Sequence, residues 1–286
     1  MKYQAIEQSQ GEFSVDRMCK VLGVSASGYY NWQKGVPGKH ACEDARLTQQ
    51  IKVIWQNARQ CYGRPRIHAE LQAQGIRVGQ KRVARLMKQA HITAKRPKRR
   101  KPRTTVADDS HPVFVNRLAR DFTATAPNQK WMSDITYIET DEGFLYLAGI
   151  LDLYSRKMVG MAMADHMQTD LVEAALHMAW CERQAPSDVL HHSDRGSQFT
   201  SERYLDRLQA YGMTISMSRK GNCWDAAPIE SFWGTLKTEC ATAAFETRQQ
   251  ARTEIFSYIM GFYNRTRRHS ALGYLSPEQF EQSVLR

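Results

Sequence analysis

Three acidic residues with distinctive neighbours lie in the second half of the chain: Asp134, Asp194 and Glu230. Asp134 lies in the segment WMSDITY, Asp194 in HHSDRGSQF and Glu230 in PIESFW, and thirty-five residues separate the last two. Carboxylate oxygens are hard ligands that suit Mg²⁺ or Mn²⁺, and three of them can hold two ions against a phosphodiester. The pattern therefore predicts that these three residues are the metal ligands and catalytic residues of a site for phosphodiester chemistry.

Asp134 is informative because its surroundings predict a strand. Asp is depleted from strands and is costly to bury without a partner. A capping or surface role would still be the more common explanation for any one of the three acids alone, and it is the three together, with their neighbours, that disfavour it. Asp152 is the rival acid in this region, and we expect it to pair with Arg156 or to turn the chain at a strand end. Asp134 is therefore the better candidate for a metal ligand.

A helix is predicted to carry Glu230, with Asp225 as its N-cap and Pro228 in its first turn, where amides lack partners within the helix. At about 100° per residue, Lys237 returns to the face of Glu230, whereas Glu239 lies on the opposite side. Lys237 is therefore predicted to contact a DNA phosphate near the metal ions. A solvated lysine is the alternative interpretation.

Two histidines and three aromatic residues flank the acids in sequence. His191 and His192 could serve a metal or act as a base, but we expect at least one to be a core residue at a strand end. Phe232 and Trp233 are predicted to be core residues as well. Trp224 is the exception, because it lies in a polar loop where it could stack on a base.

From about Lys130 the sequence changes to the alternating and continuous apolar runs that are typical of strands. Three such strands, followed by alternating helices and strands, predict an α/β fold: an RNase H-like mixed five-stranded sheet with flanking helices. The predicted strands are Trp131–Glu139, Phe144–Leu153, Lys157–Ala164, Asp188–His191 and Thr214–Ser218, and the predicted helices besides that of Glu230 are Thr169–Arg183, Glu202–Tyr211 and Arg248–Tyr263.

Positive charge is concentrated in the first part of the chain. Residues 1–110 contain 22 Lys and Arg against 8 Asp and Glu, a net charge of +14, whereas residues 111–286 have a net charge of −3. This asymmetry predicts a nucleic-acid-binding half joined to a metal-dependent catalytic half. A merely solvated basic surface is the alternative.

The basic half is predicted to contain small all-α modules that resemble helix-turn-helix folds. Residues 14–34 fit two helices joined at Gly23, with Ser25 as the cap of the second. A later helix from about Gly79 to His91 has a stripe of apolar residues that we expect to be buried. Its basic residues lie largely off that stripe, and we expect them to be free to contact DNA phosphates: Lys81, Arg82, Arg85 and Lys88.

A basic segment follows these modules and holds 7 Lys and Arg within residues 95–103. Two prolines prevent a continuous helix and the like charges favour an extended chain, so the segment is predicted to be an arm that binds DNA. Its central DNA-binding residues are Lys98, Arg99, Arg100 and Lys101. The resulting predicted organisation is a helix-turn-helix-like segment (1–40), a helical DNA-binding module (41–94), the basic linker (95–122), the catalytic core (123–240) and a helical extension (241–286).

Other classes of protein are disfavoured by what the sequence lacks. The six cysteines form no C-x-x-C pair and the histidines lack zinc-finger spacing, so a zinc module is not expected. No apolar run approaches 18 residues and no leader pattern follows Met1. We therefore expect a cytoplasmic, nucleoid-associated protein with no membrane partner.

These motifs together resemble the OrfB (InsF-like) transposases of bacterial insertion sequences of family three, whose catalytic core is similar to retroviral integrases. The acids and Lys237 reproduce the D, D-35-E-x6-K arrangement of such polynucleotidyl transferases. The other matching segments extend over nearly the full chain and include VLGVS with GYY, YGRPRI, ESFWGTLKTE and YNRTRRHSALGY.

The resemblance implies a DDE enzyme that nicks DNA at element ends and transfers the strand to a target, using two Mg²⁺ or Mn²⁺ ions. It also implies double-stranded DNA as partner, a homo-oligomer on DNA, and an upstream-frame OrfA protein as partner or fusion. The family usually has Asp-Asn-Ala where this chain has Asp225-Ala226-Ala227, so one carboxamide near the site is missing. The alternatives left open are a catalytically weakened DNA-binding regulator, a phage- or retrovirus-like integrase, and an RNase H nuclease.

Removing residues 1–103 tests where DNA affinity resides, because this segment holds 22 Lys and Arg against 6 Asp and Glu. We expect the remaining chain to bind DNA much more weakly and with a shallower slope of log K against log salt concentration, since fewer counterions are released. Fluorescence anisotropy at several salt concentrations measures both quantities. An unchanged slope would mean that the second half of the chain provides the phosphate contacts.

Overall fold

The computed structural model describes residues 1–35, 37–95, 114–219 and 223–284. It divides into two compact units, Met1–Ala94 and Lys95–Arg286. The central residues of the predicted basic arm, Lys98, Arg99, Arg100 and Lys101, lie outside the described residues. Within the described ranges, no helix is long and apolar enough to span a membrane.

The first unit is entirely helical, as predicted. Ser25 caps the third helix by accepting a hydrogen bond from the amide of Gly28, and Gly23 ends the second helix with a φ of 62°, which glycine adopts without strain. Ile6, Cys19 and Tyr29 form a small core shared by the first three helices. The helices of this unit are α1 (Lys2–Gln8), α2 (Val15–Leu22), α3 (Ala26–Gln33), α4 (Lys39–Asn57), α5 (Arg64–Ala73) and α6 (Gln80–Gln89).

The second unit is built on a five-stranded sheet of order β3-β2-β1-β4-β5, which confirms the predicted mixed RNase H-like sheet. β1, β2 and β3 are antiparallel neighbours, and β4 and β5 continue the sheet parallel to β1. The strands are β1 (Lys130–Thr140), β2 (Gly143–Asp152), β3 (Met158–Ala164), β4 (Leu190–Ser193) and β5 (Thr214–Met217).

Helices cover both faces of this sheet. Trp131, Ile150 and Val159 face α7 and α9 and form the main core with them. Side chains alternate along a strand, so Asp134 lies on the opposite face from Trp131, where α10 packs. The helices of this unit are α7 (Thr169–Glu182), α8 (Ser197–Thr200), α9 (Glu202–Ala210), α10 (Ala227–Glu239), α11 (Arg248–Phe256), which continues as a π-helical segment over Ser257–Tyr263, and α12 (Pro277–Val284).

The contact between β3 and α7 requires a glycine. A Cβ atom on Gly160 would lie 2.2 Å from the carbonyl oxygen of Ala175 and 2.7 Å from the Cβ of Ala179. Because both are parts of the helix itself, and not the ends of flexible side chains, α7 would have to move away from the sheet.

We therefore expect Gly160→Ala to lower the free energy of unfolding by about 1–3 kcal/mol, the usual cost of overpacking a core. Urea denaturation measures the change. Gly234→Ala is the matched control, because a Cβ at that exposed position in α10 meets nothing within 4 Å; in a helix this change should stabilise by about 0.5–1 kcal/mol. Equal stability of Gly160→Ala and the wild type would contradict the packing described for α7.

Candidate active site

The register of two parallel strands places Asp134 beside Asp194. The last pair between β1 and β4 is Met132 with His192. Asp134 and Asp194 each lie two residues beyond that pair, so they stand at the same level where the two strands separate. Their predicted positions, one within a strand and one just after a strand, are therefore confirmed.

The electrostatics of the site oppose the charged form of its carboxylates. The pKa of Asp134 is raised to about 7, first by burial and then by the negative charge of Asp194, with a smaller effect of Glu230. Burial also raises the pKa of Asp194 and of Glu230. A bound cation would relieve both the burial and the repulsion, and oxygen ligands of this kind fit Mg²⁺ or Mn²⁺.

Glu230 does not complete the ligand set in this structure. Its side chain is partly buried, which raises its pKa, but the residue remains exposed in the first turn of α10 and acts on Asp134 through the repulsion of their charges. Among the described residues, no three His, Cys, Asp or Glu side chains are arranged so that they could hold one metal ion together. The structure thus brings two of the three predicted ligands together and leaves the third short of them.

Trp233 contacts Asp134 directly. Its indole Nε1 donates a hydrogen bond to Asp134 Oδ2 at 2.9 Å, and the side chain is only 5% exposed. The predicted core position of Trp233 is confirmed, but its hydrogen bond to Asp134 was not predicted. Two signals pointed to it: Trp233 follows Glu230 by three residues and so lies near its face, and a buried indole N–H needs an acceptor.

Lys237 lies on the same helix, half-buried, with its Nζ 4.7 Å from the centre of the Tyr137 ring. Tyr137 is three residues beyond Asp134 on β1 and is 36% exposed. Lys237 is therefore held against the strand that carries Asp134. Contact with a DNA phosphate stays a prediction.

The two histidines are buried beneath the site. The Nε2 atom of His191 is hydrogen-bonded to the hydroxyl groups of Ser133 at 2.7 Å and Tyr204 at 3.1 Å, and His192 Nδ1 to that of Ser216 at 2.9 Å. Burial lowers the pKa of His191 to about 3 and that of His192 to about 4. Both are neutral at pH 7 and support the strand ends, in agreement with the core role expected for at least one of them.

Asp225 is not the N-cap of α10, so that prediction is wrong. Ala226 occupies the N-cap, and Asp225 is fully buried in the 3₁₀ turn just before it. Its carboxylate accepts hydrogen bonds from Arg219, from Arg120 Nε at 3.0 Å and from Asn116 Nδ2 at 2.9 Å. We call these four residues (Asp225, Arg219, Arg120 and Asn116) the Asp225 cluster. Two guanidinium groups stabilise a buried carboxylate better than a helix N-terminus does, which explains the difference.

The Asp225 cluster fixes the segment that precedes α10. Burial raises the pKa of Asp225, but the hydrogen bonds from Arg219 and Arg120 outweigh it and hold the pKa at about 2. Through Asn116 and Arg120, the residues that follow the predicted basic arm are attached to the start of the helix that carries Glu230.

Asp152 and Glu239, the other acids considered, have structural roles. Asp152 accepts the amide hydrogens of Asn128 and Tyr154, so it does turn the chain, but its charged partner is Arg183 at 3.4 Å and not Arg156. Glu239 lies on the side of α10 away from Glu230, as predicted. There it forms a buried two-point ion pair with Arg267, with both distances 2.7 Å.

In the first unit, two of the predicted phosphate-binding residues of α6 are already paired. Arg82 Nε lies 2.8 Å from one carboxylate oxygen of Asp44, and an Nη atom of Arg85 lies 2.7 Å from the other. The expectation that all four basic side chains are free is therefore wrong for these two, which attach α6 to α4. Lys81 and Lys88 are exposed.

The sequence is similar to known proteins over its whole length. Residues 124–223 and 211–277 match models described as Integrase core domain, and residues 42–100 match an HTH-like domain. The chain is 46% identical to the Insertion element IS600 uncharacterized 31 kDa protein of Shigella sonnei, over 93% of this chain and 97% of that protein. It is 42% identical to the Transposase InsF for insertion sequence IS3A of Escherichia coli, over 100% of both. A chain of the simian T-cell lymphotropic virus intasome gives a TM-score of 0.48 at 14% identity, over 74% of this chain and 69% of that one.

Replacement of Asp225 tests the role of its cluster. We expect Asp225→Asn to lower the free energy of unfolding at pH 7 by about 1–3 kcal/mol, a moderate value because both arginines are half-exposed. Since the folded-state pKa is about 2 and lies below the ordinary value of 3.8, this advantage of the wild type is present above pH 4 and is lost as the pH falls towards 2.

Urea denaturation of both proteins between pH 7 and pH 3 measures this difference. Asp206→Asn, at an exposed position of α9, serves as the control and should change stability little at any pH. A stability difference for Asp225→Asn that does not shrink at low pH would contradict the ion pairing described here.

Proposed function

The chain belongs to the InsF family of transposases of IS3 insertion sequences, and on that premise we propose that it cleaves DNA at element ends and transfers the strand to target DNA by metal-dependent DDE chemistry. Asp134, Asp194 and Glu230 are the metal ligands and catalytic residues of this proposal. The observation that carries it is the strand register that sets Asp134 beside Asp194, with both pKa values raised.

The cofactor of the proposal is a pair of Mg²⁺ or Mn²⁺ ions, which would activate the attacking oxygen, neutralise the phosphate and stabilise the leaving oxygen. Asp134 and Asp194 supply ligands that are already adjacent. Glu230 must approach them to complete the set, and its side chain, in the exposed first turn of α10, can do so by a change of rotamer while the helix stays in place. Lys237 on the same helix would hold the DNA phosphate backbone beside the reacting group.

Double-stranded DNA, both element ends and target, is the proposed partner. The exposed Lys81 and Lys88 on α6 are the phosphate contacts favoured within the HTH-like region, because Arg82 and Arg85 are engaged with Asp44. The basic segment around Lys98, Arg99, Arg100 and Lys101 adds the remaining positive charge. The proposal further includes a homo-oligomer on DNA, an upstream-frame OrfA protein as partner or fusion, and a site of action on the bacterial nucleoid in the cytoplasm.

Single replacements of the three acids test the proposed catalysis. We expect Asp134→Asn, Asp194→Asn and Glu230→Gln each to abolish DNA cleavage and strand transfer, because loss of a charged ligand disrupts metal coordination. DNA affinity should be unchanged or slightly higher, since each change removes negative charge that faces a polyanion. Strand-transfer assays on duplexes carrying element ends measure activity with Mg²⁺ or Mn²⁺, and zinc should not restore it.

Glu202→Gln, at an exposed position at the start of α9, is the matched control and should retain full activity. Substantial strand transfer by any one of the three site variants would remove that residue from the catalytic set. A wild-type protein that binds element ends but neither nicks nor joins them would instead favour the alternative, a DNA-binding regulator derived from a transposase.

A further inference from the structure

The indole ring of Trp233 joins the helix that carries Glu230 to the strand that carries Asp134. Its Nε1 atom lies 2.9 Å from Asp134 Oδ2, and Asp134 also accepts the backbone N–H of Ile135. Among the described residues, the indole N–H of Trp233 is the one side-chain group that donates a hydrogen bond to Asp134. Trp233 therefore contacts Asp134, a proposed metal ligand, without being a metal ligand itself.

Gly149 provides the space for this contact. It is the partner of Asp134 in the register of β1 and β2, and a Cβ atom on it would lie 2.6 Å from the Cη2 atom and 3.1 Å from the Cζ2 atom of Trp233. An aromatic ring is rigid, so any larger residue at position 149 would push the whole indole away from Asp134. Because Gly149 has no side chain, the indole of Trp233 has the space to reach Asp134.

Aromatic packing behind the indole fixes the helix in this position. The rings of Phe232 and Trp233 are 4.9 Å apart, and Phe232 also packs edge-on against Tyr263 at 4.6 Å. Such pairs resist rotation of the helix about its axis. The N–H group of Trp233 therefore has one position relative to the sheet and holds the carboxylate plane of Asp134 in one orientation.

A fixed donor on one oxygen has a consequence for metal binding. The two carboxylate oxygens have four lone pairs between them, and the N–H groups of Trp233 and Ile135 occupy two, so two remain for a metal ion. Polar groups that orient a metal-binding residue from outside typically change metal affinity by 10–100-fold when they are removed. Since Trp233 and Glu230 are three residues apart on α10, the same contact also sets where Glu230 stands relative to Asp134.

We propose that Trp233 is a positioning residue whose indole N–H orients Asp134 for divalent metal binding. The inference rests on the proposed function, because it takes Asp134 to be a metal ligand. It adds a residue outside the DDE acids and assigns the effect to one hydrogen-bond donor rather than to the bulk of the ring. Gly149 has the supporting role of leaving room for that ring.

The test separates the N–H group from the ring. Site-specific incorporation of benzothienylalanine at position 233 replaces the indole N–H with sulfur and preserves the shape of the ring, while Trp233→Phe removes both the donor and part of the ring. Mn²⁺ binding to the full-length protein is measured by electron paramagnetic resonance of the free ion, and unfolding by urea is measured in parallel. We expect both replacements to weaken Mn²⁺ binding by about tenfold or more, with the stability of the benzothienyl protein close to that of the wild type.

Trp131→Phe is the matched control. Trp131 is a fully buried tryptophan of the same strand, three residues before Asp134, and its Nε1 has no hydrogen-bond partner among the described residues. Its replacement should cost stability but leave Mn²⁺ affinity within about twofold, since no donor to the site is lost. Gly149→Ala supplies an independent variant: it retains Trp233 but displaces the indole, and it should weaken Mn²⁺ binding as the benzothienyl replacement does.

Asp134→Asn separates the proposed metal-ligand role of Asp134 from the proposed positioning role of Trp233. If Asp134→Asn binds Mn²⁺ as tightly as the wild type, the metal-ligand assignment fails, and the proposal for Trp233 fails with it. If Asp134→Asn loses Mn²⁺ but the benzothienyl protein retains wild-type affinity, the role of the indole N–H is overturned while the proposed function stands. Parallel losses for the benzothienyl and Gly149→Ala proteins, with Trp131→Phe unaffected, would support the assignment.

Discussion

The burial of two neighbouring carboxylates, Asp134 and Asp194, is the constraint on which the proposed site depends. Asp134 and Asp194 stand side by side because β1 and β4 are parallel and in register up to Met132 and His192. Burial raises the pKa of both residues, and the charge of Asp194 raises that of Asp134 further, so the charged pair destabilises the fold unless a proton or a cation neutralises it. The sheet thus holds an arrangement that favours cation binding, and this is the physical basis of the proposed metal-dependent DNA chemistry.

Two other buried carboxylates in the same unit, unlike those of the site, are paired with arginine side chains. Asp225 is held by Arg219 and Arg120, and Glu239 by a two-point contact with Arg267. These ion pairs satisfy the buried charges that fix the two ends of α10, so that helix has a defined place next to the sheet. Among the described residues, the three site acids have no such cationic partner. This contrast, and not acidity in itself, separates the candidate ligands from the structural acids.

Much of the fold and the places of Asp134 and Asp194 in it could be predicted from the sequence, because both depend on local patterns. Apolar alternation located the strands, and the neighbours of Asp134, Asp194 and Glu230 identified them as a set. Partners that lie far away along the chain could not be predicted this way. Asn116 and Arg120 are more than a hundred residues from Asp225, and no periodicity shows that Gly149 leaves room for Trp233 beside Asp134. The pairing of Arg82 and Arg85 with Asp44 could not be predicted for the same reason, since Asp44 lies on a different helix.

We propose that Asp134 and Asp194 together bind a divalent cation, and this can be tested directly. Anomalous diffraction from crystals of the protein soaked in Mn²⁺ locates that ion directly, without reliance on activity. We expect an anomalous peak within coordination distance of carboxylate oxygens of both residues, with the side chain of Glu230 drawn towards it and Trp233 still hydrogen-bonded to Asp134. Ordered Mn²⁺ elsewhere, with no density between Asp134 and Asp194 at saturating concentration, would contradict this proposal.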